Sequence, residues 1–144
     1  MMKRLLPIAL LASIFFWSCK GSQYTPETFS KKQVIFGSGG GVTGKYEVYT
    51  LLENGQFFYT NSISEKREEL SPVAKKSVKA VFEMMKKMDF KQQVTNAPGN
   101  YNHFIKLKED GDVHEYTWVD DSSDASSAMI ELFRMLNNMK NPTE

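Results

Sequence analysis

Residues 46–60 decide the fold: Tyr46-Glu47-Val48-Tyr49-Thr50-Leu51-Leu52-Glu53-Asn54-Gly55-Gln56-Phe57-Phe58-Tyr59-Thr60. Both arms are rich in β-branched and aromatic residues, which suit a pleated, half-buried surface. Between them stands Asn54-Gly55, the strongest short signal for a hairpin, because both residues tolerate positive φ. In a strand alternate side chains point to opposite faces. Tyr46, Val48, Thr50 and Leu52 then share one face, with Glu47 and Glu53 on the other. With Asn54 and Gly55 as a two-residue turn, Leu52 faces Phe57 and Thr50 faces Tyr59.

A second hairpin follows the same rules. Tyr101–Lys108 and Val113–Val119 flank Asp110-Gly111. A two-residue turn sets Lys106 across from Glu115, a favourable surface pair. The other face collects Tyr101, His103, Ile105, Leu107, His114, Tyr116 and Trp118, and is the predicted core face. Upstream, Gln33–Phe36 is a short apolar strand ended by Gly37.

Each hairpin leads to a helical stripe. After the charged run Glu65–Glu69, Ser71-Pro72 supplies an N-cap residue and a good first helical residue. Val78, Val81, Phe82 and Met85 then recur at helical spacing, and the helix is expected to end near Asp89. Asp121, Ser122, Ser123 and Asp124 are competent caps for a second helix with the stripe Met129, Leu132, Phe133 and Leu136. Six of the eight methionines fall in these two helices. They fill a core or form an adaptable surface. The halves repeat as a structural pseudo-repeat. The predicted class is α+β: a two-layer antiparallel sheet of about five strands with two helices on one face, in the order β-ββ-α-ββ-α.

Composition agrees with one folded domain. The chain has 144 residues, 41% hydrophobic and 24% charged, with a net charge of +1. That balance leaves no basic excess for nucleic acid. The N-terminus reads as an address. Met1-Met2-Lys3-Arg4 is a basic start, and Leu5 to Trp17 carries no charge. Such a helix spans about 20 Å, short of the roughly 30 Å hydrocarbon core, so a signal peptide fits better than a spanning anchor. Ser18-Cys19 follows, and Cys19 is the only cysteine. This arrangement resembles the lipobox of bacterial lipoproteins, in which the peptide is cut before the cysteine and that residue carries acyl chains such as palmitate. Phe16 fits the bulky apolar position, while Trp17 stands where a small residue is commoner. The alternatives are a plain secretory peptide or a buried free thiol. Several acyl chains give stable anchoring where one gives only marginal binding. The expected division is a lipoprotein signal peptide at 1–18, a lipid-anchored tether at 19–32 and one α+β domain at 33–140. The expected location is the cell envelope, at the outer membrane.

Candidate chemistry is sparse. Gly39, Gly41 and Gly44 match G-x-G-x-x-G, and Gly39–Lys45 matches most of a phosphate loop. Both patterns need a helix directly afterwards to hold the phosphate, but here a strand follows, and an exported protein rarely meets ATP. The plain reading is a connection with positive backbone angles, or a close approach of another backbone. The bare loop is also a candidate contact surface through Ser38, Gly39, Gly40, Gly41, Thr43 and Gly44. His103 and His114 share a predicted face but are not cross-strand partners, and no HxH, HExxH or CxxC spacing accompanies them. Asp120, Asp121 and Asp124 form a carboxylate cluster where helix caps belong. No serine or cysteine shows a base at a recognisable spacing, so no catalytic residue, metal or cofactor is predicted.

The stretch Phe36-Gly37-Ser38-Gly39-Gly40-Gly41-Val42-Thr43-Gly44 before a strand resembles bacterial lipoproteins with an FGxGGGxTG-like opening. More distantly, residues 33–139 resemble emfourin-type inhibitors of thermolysin-like metallopeptidases. The shared points are Ser38-Gly39-Gly40 with Gly44, a helix ending near Met88-Asp89-Phe90, the Tyr101–Leu107 strand, Asp110-Gly111, Tyr116–Val119 and a Leu132/Leu136 helix. This chain departs from them in its lipobox, its tether and the return strand Gln56–Thr60. The resemblance implies a non-enzymatic module that binds an envelope or secreted protein, with a metallopeptidase as one such partner. The alternative is a small envelope metal-binding protein or hydrolase using His103, His114 and the Asp120–Asp124 cluster.

Overall fold

The computed structural model describes residues 23–94, 98–119 and 125–141. The strands are β1 (Gln33–Gly40), β2 (Lys45–Leu52), β3 (Phe57–Asn61) and β4 (Arg67–Leu70), followed by helix α1 (Lys75–Lys87). Strands β5 (Tyr101–Glu109) and β6 (Asp112–Val119) come next, and helix α2 (Ser127–Asn138) is last. The class is α+β. Among the described residues the six strands form one open antiparallel sheet in the order β4-β3-β2-β1-β5-β6. Both helices pack on one face, over Val34, Phe36, Leu51, Phe57, Ile105 and Trp118. From α1 come Val78, Val81 and Met85, and from α2 Met129, Leu132 and Leu136. Met84, Met88, Met135 and Met139 pack at the margin of this core, so the helical methionines fill gaps beside it.

The second hairpin has the expected register: Lys106 faces Glu115, His103 faces Trp118 and Leu107 faces His114. Lys106 Nζ lies 3.1 Å from Glu115 Oε2. Asp110 and Gly111 both have positive φ, as a tight two-residue turn requires.

The first hairpin differs. Leu51 faces Phe57, Thr50 faces Phe58 and Tyr49 faces Tyr59. The Leu52 N–H donates to Gln56 O at 2.9 Å, so the loop has three residues, Glu53-Asn54-Gly55, with Gly55 at φ 95°. One added loop residue exchanges the partners across the whole hairpin. Tyr46, Val48, Thr50 and Leu52 do share a face, but it is the one away from the helices. Tyr49 and Leu51 reach the main core, and Leu52 joins Phe29 and Phe58 in a second cluster behind the sheet.

Four further expectations are corrected. Gly37 does not end β1, which runs on to Gly40. The charged run is partly a sixth strand: Arg67–Leu70 pairs with β3, its only inward residue being the half-buried Leu70. A short charged strand is a common way to close a sheet edge against further pairing. α1 begins at Lys75 with Ala74 as N-cap and no side-chain cap, so Ser71-Pro72 lies before it. α2 is capped by Ser126, whose Oγ accepts from the Met129 N–H at 3.2 Å. Asp120, Asp121, Ser122, Ser123 and Asp124 lie outside the described residues.

Part of the expected tether, from Tyr24 onward, is docked on the domain. The Gln56 side chain accepts from Tyr24 N–H and donates to Tyr24 O, both at 3.0 Å. Gln33 Nε2 donates to Pro26 O at 2.8 Å and Phe29 O at 3.0 Å. Glu27 takes both arms of the Arg67 guanidinium, and this hydrogen bonding lowers the Glu27 carboxyl from its ordinary 4.5 to about 2. Phe29 thereby closes over Leu52 and Phe58.

Candidate functional site

The glycine stretch does two physical jobs. At Gly37 a Cβ would lie 1.9 Å from Glu47 O, and at Gly39 one would lie 2.3 Å from Lys45 O. Strands β1 and β2 approach too closely there for any side chain, so these two glycines are packing positions. Beyond them the chain turns through Gly41 (φ 70°) and Gly44 (φ 60°), where a Cβ would meet nothing. The turn is fixed by Gly41 N–H to Asn100 O at 2.6 Å and Gly44 N–H to Gly41 O at 3.2 Å. Ser38, Gly39 and Gly40 therefore lie in the sheet, while Gly41, Thr43 and Gly44 form its tip. Strand β2 follows at once, so no helix N-terminus serves this loop.

This tip is one part of a larger end surface. Tyr46 N–H donates to Ser62 Oγ at 2.7 Å, and Ser62 N–H donates to Tyr46 O at 3.0 Å. These bonds tie the β1–β2 tip to the β3–β4 turn. Both present an apolar side chain to solvent: Val42 is fully exposed (106%) and Ile63 is 65% exposed. Tyr101, across from Gly40, adds an aromatic ring at the same end. Neither Val42 nor Ile63 is marked by any motif; a single apolar residue between turn glycines was the available signal.

The β1–β5 register places Ser38 opposite His103. Ser38 Oγ lies 2.6 Å from His103 Nδ1, and the imidazole is held among Phe133, Trp118 and Tyr101 at centroid distances of 4.9, 5.4 and 5.9 Å. A serine thus does have a histidine neighbour, 65 residues away in sequence. Such a pair becomes a nucleophile and base only where a cavity also holds a substrate carbonyl near donors. Neither of the two grooves described below is lined by Ser38 or His103. His114 sits four positions further along the ladder, about 13 Å at strand spacing, so the two imidazoles do not converge. Among the described residues no group of three His, Cys, Asp or Glu side chains is placed to hold a metal ion. Cys19 and Asp120–Asp124 lie outside the described residues.

Two grooves flank the sheet. One, of about 520 Å³, lies on the open face beside Val48 and the rings of Phe104 and Tyr46, which cover Gly37 and Gly39 respectively. The other, of about 740 Å³, runs between α1 and the end of the sheet opposite the tip. Val78, Phe82, Met85, Phe90 and Leu107 form its apolar floor. Its rim carries Lys32, Lys75, Lys79, Lys86 and Lys91. Glu109 binds both Lys91 and Lys32, the latter at 3.0 Å, and these bonds lower its carboxyl below the ordinary value. On the helix-covered face, Lys140 Nζ sits 4.2 Å from the Tyr49 ring centroid and 5.6 Å from that of Phe36. Burial lowers its ammonium pKa.

Among the described residues no helix is long and apolar enough to cross a membrane. A scan against protein-family models finds no match, and a comparison with curated proteins finds no similar sequence.

Proposed function

We propose that this chain is a lipid-anchored cell-envelope protein, acylated at Cys19, that works as a non-enzymatic protein-binding module. Its contact surface is the sheet end carrying Val42, Ile63 and Tyr101. The observation that supports this most is Val42: an apolar side chain fully exposed on a turn closed by two backbone hydrogen bonds. A pre-organised apolar anchor loses little conformational entropy on binding, which is how small rigid loops gain affinity. The partner is an envelope or secreted protein, with a thermolysin-like metallopeptidase as the specific candidate from the sequence resemblance.

A photocrosslinking residue at position 42, introduced in cells, tests this. Capture of one discrete protein, lost in a Val42→Asp/Ile63→Asp background that stays folded, is the expected result. No discrete adduct from position 42 or position 63 refutes the contact surface. Inhibition of a purified thermolysin-like enzyme, lost in the same variant, would identify the partner class. Fatty-acid labelling that persists after Cys19→Ser refutes the anchor.

The Ser38–His103 bond favours one second reading, a small hydrolase. Ester turnover that disappears in Ser38→Ala would establish it in place of the binding module.

A further inference from the structure

The groove between α1 and the sheet end lies at the end of the sheet from which the chain leaves for its anchor, on the face opposite the Phe29 cluster. Tyr24 is pinned to Gln56, which directly follows the β2–β3 loop. Glu53 and Asn54 of that same loop line the groove. Five residue steps separate Cys19 from Tyr24, a reach of at most about 17 Å. An acylated Cys19 therefore holds this end of the domain against the bilayer. The Val42 tip stands off by a further strand length, about 26 Å for eight residues.

The charge on α1 matches that placement, and the helix itself explains only part of it: Lys86 and Lys87 suit the last turn, whereas the lysines of the first turn do not. Between Lys75 and Lys87 there are five lysines and one glutamate, with no acid in the first turn. Lysines at positions 75 and 76 oppose the helix macrodipole, which favours negative charge there. Lys75, Lys79 and Lys86 share one flank, at helical spacings of four and seven. Of the four acids lining the groove, Glu109 is occupied by Lys32 and Lys91, Glu83 by Lys79 at 3.7 Å, and Glu53 accepts from the Lys32 N–H at 3.3 Å, while Asp89 follows the C-cap of α1. Among the described residues Lys75, Lys76, Lys86 and Lys87 have no ion-pair partner. The apolar floor below them, with half-buried Phe82, suits the boundary between headgroups and acyl chains.

We infer that the lysine flank of α1 is a docking surface for the anionic phospholipid headgroups of the bilayer that holds the anchor. This rests on the acylation of Cys19 proposed above. Docking orients the sheet with its apolar tip pointing away from the membrane. Each lysine near an anionic surface contributes about a fivefold factor in association, and salt screens it over roughly 8 Å at physiological strength.

The test uses the membrane-extracted protein added to preformed vesicles of phosphatidylcholine alone or of equal parts phosphatidylcholine and phosphatidylglycerol. An uncharged acylating reagent and peptide mass spectrometry read the modification rate of each lysine, and intact mass reads acylation at Cys19. The expected result is slowing of Lys75, Lys79 and Lys86 by about fivefold or more on the anionic vesicles, with a smaller slowing of the adjacent Lys76 and Lys87. Lys45 and Lys66, at the far end, are unchanged. High salt removes the slowing. In a Lys75→Gln/Lys79→Gln/Lys86→Gln variant, Lys76 and Lys87 also lose it. An acylated protein whose lysines react alike on both vesicles overturns the docking surface and leaves the anchor standing, as does slowing shared equally by Lys45 and Lys66. Absence of acyl mass on Cys19 overturns the anchor and this inference with it.

Discussion

Substituting Gly37 by alanine separates a packing role for the glycine stretch from a purely binding one. The added Cβ would sit 1.9 Å from Glu47 O, 3.0 Å from Glu47 C and 3.1 Å from the Phe104 ring. The first contact is with backbone, which cannot rotate away, so β2 must retreat from β1 by about 1 Å before the oxygen reaches even the closest separation real Cβ atoms show. Overpacking of this kind costs about 1–3 kcal/mol. The retreat also strains the neighbouring ladder bonds, each worth about 1 kcal/mol, so two of them bring the total to about 3–5 kcal/mol. That is a large part of the roughly 5–15 kcal/mol that holds a domain together. Gly41 is the internal control. Its Cβ would meet nothing, and only the φ of 70° opposes a side chain, at about 1–2 kcal/mol for Gly41→Ala. Urea unfolding followed by far-UV circular dichroism measures both variants at constant pH. A Gly37→Ala loss within about 1 kcal/mol of wild type, or one no larger than that of Gly41→Ala, would refute the close-approach reasoning.

Other expectations follow from single contacts. Ser126→Ala should cost about 1 kcal/mol by removing the cap on Met129 N–H, whereas Ser71→Ala should stay within about 0.5 kcal/mol; urea midpoints compare the two. Ser38→Ala should cost about 1 kcal/mol through the lost bond to His103, and an unchanged midpoint would show that the bond adds nothing net. The Glu27–Arg67 pair is largely exposed, so its worth is capped at about 1 kcal/mol. Because the Glu27 carboxyl is depressed on folding, that stability is present above its ordinary 4.5 and is lost as pH falls toward about 2. Unfolding of wild type and Arg67→Ala should therefore differ at pH 7 and converge near pH 2, and a difference that persists in acid would contradict the assignment.

The second hairpin was legible to its register because Asp110-Gly111 satisfies a two-residue turn locally and the flanking residues alternate cleanly. The first was not, because Asn54-Gly55 serves equally as the last two residues of a three-residue loop. Both faces of β2 are apolar enough to accept either outcome. Strand β4 escaped notice because Arg-Glu-Glu-Leu has no apolar alternation; it pairs because β3 offers an open edge. α1 starts three residues later than Ser71-Pro72 suggests, because Val73 N–H is drawn to Gly55 O at 2.9 Å instead of entering the helix. The tip was legible as a glycine-rich contact candidate, but Val42 and Ile63 come together only through the Tyr46–Ser62 bonds. Ser38 and His103 meet only because β5 lies beside β1.

Period-two alternation around turn glycines and apolar stripes at helical spacing are local properties, and from them the sequence alone determined an α+β chain of hairpins and two amphipathic helices. Tertiary structure decided which face of β2 the helices cover, which strands became neighbours, that residues 24–29 close the far side, and that the lysines of α1 sit at the end where the chain departs. Those choices rest on hydrogen bonds and packing between segments tens of residues apart, whose free energy depends on the whole sheet being assembled and so leaves no mark in any short window of sequence.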